Sequence, residues 1–129
     1  MRLLALLFVA VLNGCMDDET VAGYGGAEKI WVLTELDNAP FTARATLQFP
    51  ETGRIAGKAP CNSFTGAMTV PYPWFEATQV ASTRMACPDM AEEGAFFKAL
   101  SAMTVSEVLG NVLILSNEDG RQMVFKSDD

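Results

Sequence analysis

The chain has 129 residues, half of them hydrophobic and 19% charged, which suits one globular domain with a short extension and excludes wholesale disorder. Nine Lys and Arg stand against sixteen Asp and Glu, a formal net charge of −7 and the opposite of what a nucleic-acid surface needs. Histidine is absent, which removes Ser-His-Asp and Cys-His catalysis, histidine metal sites and the usual neutral-pH proton carrier.

The chain opens with Met1-Arg2 and an unbroken apolar run from Leu3 to Leu12. Ten residues make about 15 Å of helix, half of a hydrocarbon core, so the segment reads as a secretory signal and not a span. Its end, Leu12-Asn13-Gly14-Cys15, resembles a bacterial lipobox, with Asn13 a departure from the usual residue there. That resemblance implies a Cys15 thiolate that takes a diacylglycerol thioether before the signal is cut in front of it. Residues 1–14 are thus expected to be a lipoprotein signal and 15–28 a lipidated tether. Asp17, Asp18, Glu19 and the Gly23-Tyr24-Gly25-Gly26 cluster give the tether little to bury. The glycines lack the preceding strand and following GK[ST] of a phosphate loop. Met16, in place of an aspartate after the anchor cysteine, points to the outer membrane over the inner one.

From residue 29 short β runs take over. Ile30 to Leu36 is rich in β formers, with Trp31 and Leu33 on one face, and Ala45, Leu47 and Phe49 alternate with Arg44, Thr46 and Gln48. Pro50 to Gly53 reads as a turn and Arg54 to Gly57 as the hairpin's return. Phe64 to Val70 and Trp74 to Val80 are strand candidates, separated by a loop or edge crossing at Pro71-Tyr72-Pro73. A helix is expected over about 88–103: Pro88 suits its first turn, Glu92 and Glu93 suit the positive end of its dipole, and Phe96, Phe97, Leu100 and Met103 form its inward stripe. Val105 to Leu109, Val112 to Ser116 and Gln122 to Lys126 close the chain as strands, with turns at Gly110-Asn111 and Asp119-Gly120. The sum is an α+β fold, an antiparallel β-rich roll or open barrel with one inserted helix, over residues 29–127.

Taken together, these residues resemble a META domain, the family of HslJ-type heat-shock lipoproteins, also described as DUF306-like. Carrying the resemblance are Trp31-x-Leu33, Leu47-x-Phe49, Gly53-Arg54-Ile55-x-Gly57, Cys61-Asn62-x-Phe64-x-Gly66, Thr83-Arg84-Met85-Ala86-Cys87-Pro88 and Glu93-x-x-Phe96-Phe97-x-x-Leu100, closed by Leu113-x-Leu115, Gly120 and Phe125. Pro60 stands where the family usually has glycine. The resemblance implies a β-rich fold with one helix, a bacterial envelope location facing the periplasm and no established catalysis.

With Cys15 assigned to lipid, Cys61 and Cys87 remain, and in an oxidising envelope a structural disulfide is the expectation, with two buried thiols as the alternative. Without CxxC spacing or histidine, no metal or other cofactor is expected. Trp31, Asn62, Phe64, Gly66, Thr83, Met85 and Pro88 read as structural motif residues, Asn62 either as a left-handed turn residue or as an amide tying adjacent strands. Glu92 and Glu93 are explained by the helix dipole, and Asn117 to Gly120 by a hairpin turn, since the later glutamate of a calcium loop is missing. Tyr72, Trp74 and Phe75 form a candidate binding surface, on which period-2 geometry keeps Trp74 and Phe75 from sharing one face. The resulting expectation is a non-enzymatic, lipid-anchored monomer with a stress-response or structural-interaction role, a membrane contact, an envelope protein partner and no nucleic acid. The alternatives are an escort for an envelope or secretion component, and a hydrolase or inhibitor.

Overall fold

The computed structural model describes residues 18–128. After a π-helical turn at Ala22–Gly26, nine strands and one α-helix follow in order: β1 Trp31–Leu36, β2 Ala39–Pro40, β3 Thr46–Leu47, β4 Arg54–Lys58, β5 Ser63–Ala67, β6 Thr78–Ser82, α1 Met90–Ala102, β7 Val105–Leu109, β8 Val112–Ser116 and β9 Gln122–Lys126. They form two antiparallel sheets, one ordered β2-β1-β9-β8-β7 with β3 added on β1, the other ordered β4-β5-β6. Gln48 and Ala56 exchange backbone bonds of 2.7 and 3.0 Å, so the strand read from Ala45 to Phe49 and its hairpin return link the sheets. The sheets do not close into a barrel, and with the helix they make the expected α+β fold.

Alternation decides which side chains enter the core. Leu33 of β1, Phe125 of β9 and Leu113 of β8 stand in register across three strands, and each is buried. Thr34 is an extra residue between the Leu33–Phe125 and Glu35–Val124 pairs, a β-bulge whose Oγ1 donates to the Val124 carbonyl at 3.1 Å. Asp37 and Asn38 both take positive φ, 50° and 67°, which matches the strand twist of a two-residue hairpin into β2. Gly57 and Gly66 mark close approaches: a Cβ at Gly57 would lie 2.1 Å from the Thr46 carbonyl, and one at Gly66 3.0 Å from that of Thr78.

Helix α1 begins two residues after Pro88 and lays Glu93, Phe96, Ala99 and Leu100 against the core. Phe64, Phe96 and Phe97 pack as a ring trio with centroids 5.4 to 5.5 Å apart. Asn117 caps the helix's far end through Nδ2 to the Ala102 carbonyl (3.1 Å), while its Oδ1 accepts from Asp119 and Arg121 in the β8–β9 turn. That turn is the hairpin expected over Asn117 to Gly120.

Two expectations need correction. Residues 15–28 do not all behave as a tether: Thr20, Val21 and Ala22 are buried, the Tyr72 amide donates to the Glu19 carbonyl at 2.6 Å, and Trp31 Nε1 donates to the Gly26 carbonyl at 3.0 Å. The extension folds back because Val21 fills core space that the two sheets leave open. The second correction is Trp74 to Ala77, which is not strand. Trp74 makes one isolated bridge to Val105, and β6 starts at Thr78.

Candidate functional site

Three places carry chemistry or exposed apolar surface, and the first is the corner where β5 begins. Cys61 and Cys87 are disulfide-bonded with Cα atoms 5.9 Å apart. Beside the bond lies the Glu93 side chain, 4% exposed. Its Oε1 accepts from the amides of Cys61 (3.0 Å) and Asn62 (2.6 Å), and its Oε2 accepts from Asn62 Nδ2 (2.7 Å). The Asn62 amide then reaches the opposite way. Nδ2 also donates to the Met85 carbonyl at 3.1 Å, and Oδ1 accepts from the Met85 amide at 2.7 Å and the Thr83 hydroxyl at 2.9 Å. Thr83 Oγ1 accepts in turn from the Ser63 amide at 3.2 Å. The Asn62 amide thus ties the segment after β6 to the start of β5, where its sequence context suggests a tie between adjacent strands.

Burial alone pushes the Glu93 carboxyl pKa up. The donors from Asn62 and Cys61 outweigh it and hold the group below the ordinary 4.5. Glu93 is therefore more than the dipole-favoured residue expected in a first turn: it organises the corner. The available signal was its spacing, three residues before Phe96 and seven before Leu100, on the buried stripe. The neighbouring Glu92 is only half-buried. The motif residues divide by role: Trp31 and Phe64 are core, Gly66 permits close strand approach, Thr83 and the Met85 backbone bond Asn62, and Pro88 precedes the helix. The Met85 side chain is left 55% exposed.

The second place adjoins this corner. A groove of about 260 Å³ runs between β6 and α1, lined by Val80, Ser82, Phe97, Leu100 and Ser101. At Ser82 and Phe97 it meets another of about 440 Å³, which continues past Arg84, Met85 and Met90. Strand β6 pairs with β5 alone. The Thr83 amide donates to the Ser63 carbonyl at 3.0 Å, so ladder alternation turns the backbone groups of Ser82 outward. A larger cavity of about 540 Å³ lies apart, between Asp18 to Ile30 and the β3–β4 turn.

The third place is the outer edge of β7. The Ser106 amide and hydroxyl donate to the Pro73 carbonyl at 2.6 and 3.0 Å, the Phe75 amide donates to the Thr104 carbonyl at 2.9 Å, and the Val108 amide donates to the Tyr72 hydroxyl at 3.2 Å. Tyr24 stacks on Tyr72 with centroids 4.6 Å apart. Trp74 is 58% exposed and Tyr24 56%, whereas Phe75 is 2% exposed. Phe75 therefore leaves the expected surface of Tyr72, Trp74 and Phe75. Its side chain points to the core because Trp74, one residue earlier, points out. Cys15 lies outside the described residues. Among the described residues there is no cluster of three or more Cys, Asp or Glu able to hold a metal ion, and no helix long and apolar enough to cross a membrane.

Solved structures share this architecture. A protein from Burkholderia xenovorans, studied by NMR, aligns with TM-score 0.65 and 22% identity over 84% of this chain and 87% of that one. A second NMR structure gives 0.60 and 24% over 76% and 87%. The crystal structure of a DUF4847 family protein from Bacteroides vulgatus ATCC 8482 gives 0.52 and 18% over 64% and 57%. At these identities the likeness is one of fold. No curated protein matches the chain. The META domain family model matches residues 27–129, which include the Cys61-Asn62 corner, the 83–88 segment and helix α1. With most of its length inside that match, this chain belongs to the META domain family.

Proposed function

We propose that the chain is a lipid-anchored bacterial envelope protein, facing the periplasm from the outer membrane, whose META domain serves a stress-response or structural-interaction role without catalysing a reaction. The Leu12 to Cys15 pattern supports the anchor, and Met16 supports the outer membrane. The observation that carries the non-catalytic half is the state of Glu93. Among the described residues it is the buried ionisable side chain, and three donors occupy it and favour its charged form. A general acid or base must exchange its proton near the working pH, and Glu93 instead fixes Cys61 and Asn62, which in turn hold the 83–88 segment.

The test is expression from the native N-terminus with a labelled fatty acid. The chain is expected to take up label and enter the detergent phase, and Cys15→Ser to lose both. A Cys15→Ser chain that still labels ends the anchoring reading. Turnover by the purified chain that one carboxylate or lysine substitution abolishes ends the non-catalytic one.

The groove beside β6 favours a second reading, an escort that receives an extended client segment. Outward backbone groups at Ser82 offer strand pairing, and Val80, Phe97 and Leu100 offer an apolar floor. A photoreactive residue at Val80 should then capture one envelope or secretion component in cells, and even labelling of many proteins argues against it.

A further inference from the structure

We propose that Tyr24, Tyr72 and Trp74, with Leu109 beside them, form a membrane-docking face that seats the domain on the lipid surface to which Cys15 ties it. The inference rests on the anchoring reading above and adds an orientation to it.

The first argument is reach. Asp18 is already fixed, since its carboxylate accepts from the Thr20 amide at 2.8 Å and the Thr52 hydroxyl at 3.1 Å. The next residue, Glu19, is held to the Tyr72 amide. Only Met16 and Asp17 separate Cys15 from Asp18. Three residue steps span at most ~11 Å fully extended. An acyl group in the bilayer therefore leaves the domain almost no slack, and the surface around Tyr72 must lie at or next to the headgroups.

The second argument is the chemistry of that surface. Tyr24, Trp74 and Leu109 are each more than half exposed. All sit along β7: Trp74 pairs with Val105, Tyr72 caps the Val108 amide, Tyr24 stacks on Tyr72, and Leu109 ends the strand. Tyrosine and tryptophan, with an apolar body and a polar tip, are favoured where hydrocarbon meets water. Lys29 donates to the Gly110 carbonyl at 3.0 Å and so places a cation at the Leu109 end, suited to a headgroup phosphate.

The third argument separates lipid from a peptide partner. Tyr72 and Pro73 already take the outward amides of Val108 and Ser106, and Phe75 takes the Thr104 carbonyl just before β7, so this segment covers the edge where a further strand would pair. Side-chain faces remain, and a bilayer needs nothing else.

The chain's two tryptophans make the test direct, because Trp31 is fully buried and Trp74 is exposed. The acylated full-length protein is reconstituted in phosphatidylcholine vesicles, and in vesicles of the same lipid brominated along its acyl chains. Docking predicts a blue-shifted Trp74 emission and loss of most of it to the brominated lipid. Trp74→Phe should leave a residual Trp31 signal that bromine does not touch. Tyr24→Ser combined with Leu109→Ser, both at exposed sites, should keep acylation and fold yet restore much of the Trp74 emission. A chain that carries label but gives the same Trp74 emission in both vesicles overturns the docking face and leaves anchoring intact. A chain that carries no label removes the anchor, and the docking face falls with it. A photoreactive residue at Leu109 that captures an envelope protein and no lipid also overturns it.

Discussion

The corner around Cys61 and the edge around Tyr72 both hold a non-strand segment against a strand, and they do so by opposite means. At the corner, residues 83–88 are held by a disulfide, a buried carboxylate and a primary amide whose donors and acceptors are engaged on both sides. At the edge, residues 72–75 are held against the Thr104–Val108 stretch by two backbone-to-backbone bonds, a serine hydroxyl and a tyrosine hydroxyl, and the Trp74 ring is left outside while Phe75 enters the core. The corner is costly to disturb because each broken bond leaves a buried polar group unpaired. The edge is cheap to alter at Trp74, whose exposed ring contributes little to folding. If the edge docks as proposed, architecture and interaction are divided between two regions of one small domain.

The largest effect should come from reducing Cys61–Cys87. Opening a loop with a sequence separation of 26 residues should cost roughly 3.5 kcal/mol in the chain-entropy account. Urea unfolding of the Cys15→Ser chain, oxidised and reduced, measures it. A reduced chain with an unchanged midpoint would mean that hydrogen bonds alone hold the corner.

Glu93→Gln comes next. One carboxamide oxygen can still accept from the two amides, but its NH₂ then faces the NH₂ of Asn62. Turning the Asn62 amide over only moves the conflict, setting its NH₂ against the Met85 amide and its oxygen against the Met85 carbonyl. A loss of about 3 kcal/mol follows from surrendering charge-assisted bonds at a buried site. Because Cys61 belongs to both interactions, reduction and Glu93→Gln should cost less together than separately.

Acid sharpens the same contrast. The folded Glu93 pKa lies below its unfolded value near 4.5, so its stabilisation is complete above that pH and is lost as pH falls through the folded value. Asp37 adds the same sign, lowered by the Arg121 guanidinium and the Gln122 amide. Stability should be flat near neutrality and fall in acid. In Glu93→Gln the acid limb should be shallower. An unchanged limb would assign the acid sensitivity to Asp37 and other carboxylates.

Much of the fold was legible because burial here follows period. Alternation at Trp31 and Leu33 and at Ala45, Leu47 and Phe49 marked faces the structure buries. Asp119-Gly120 marked a turn where Gly120 takes φ 79°. The candidate site was less legible, for three separate reasons. A glutamate in a helix's first turn satisfies the dipole whether it is solvated or buried, so residue type hid Glu93. Period-2 geometry separates Trp74 from Phe75 but does not say which one faces inward. Val21 lies in a polar, glycine-rich stretch whose composition reads as tether, and only the finished core shows the space it fills.

The smallest effects belong to the edge, where stability and binding should separate. Tyr72→Phe keeps the ring stacked on Tyr24 but withdraws the hydroxyl from the Val108 amide, a part-buried bond of 3.2 Å. That should cost about 1 kcal/mol. Trp74→Ser removes an exposed ring and keeps the backbone bridge to Val105, so its cost should stay within about 0.5 kcal/mol. Both lie well below either corner change. If Trp74→Ser instead destabilised the chain as much as Glu93→Gln, its ring would be a structural part of the β7 edge, and the division between a folding corner and an interacting edge would not hold.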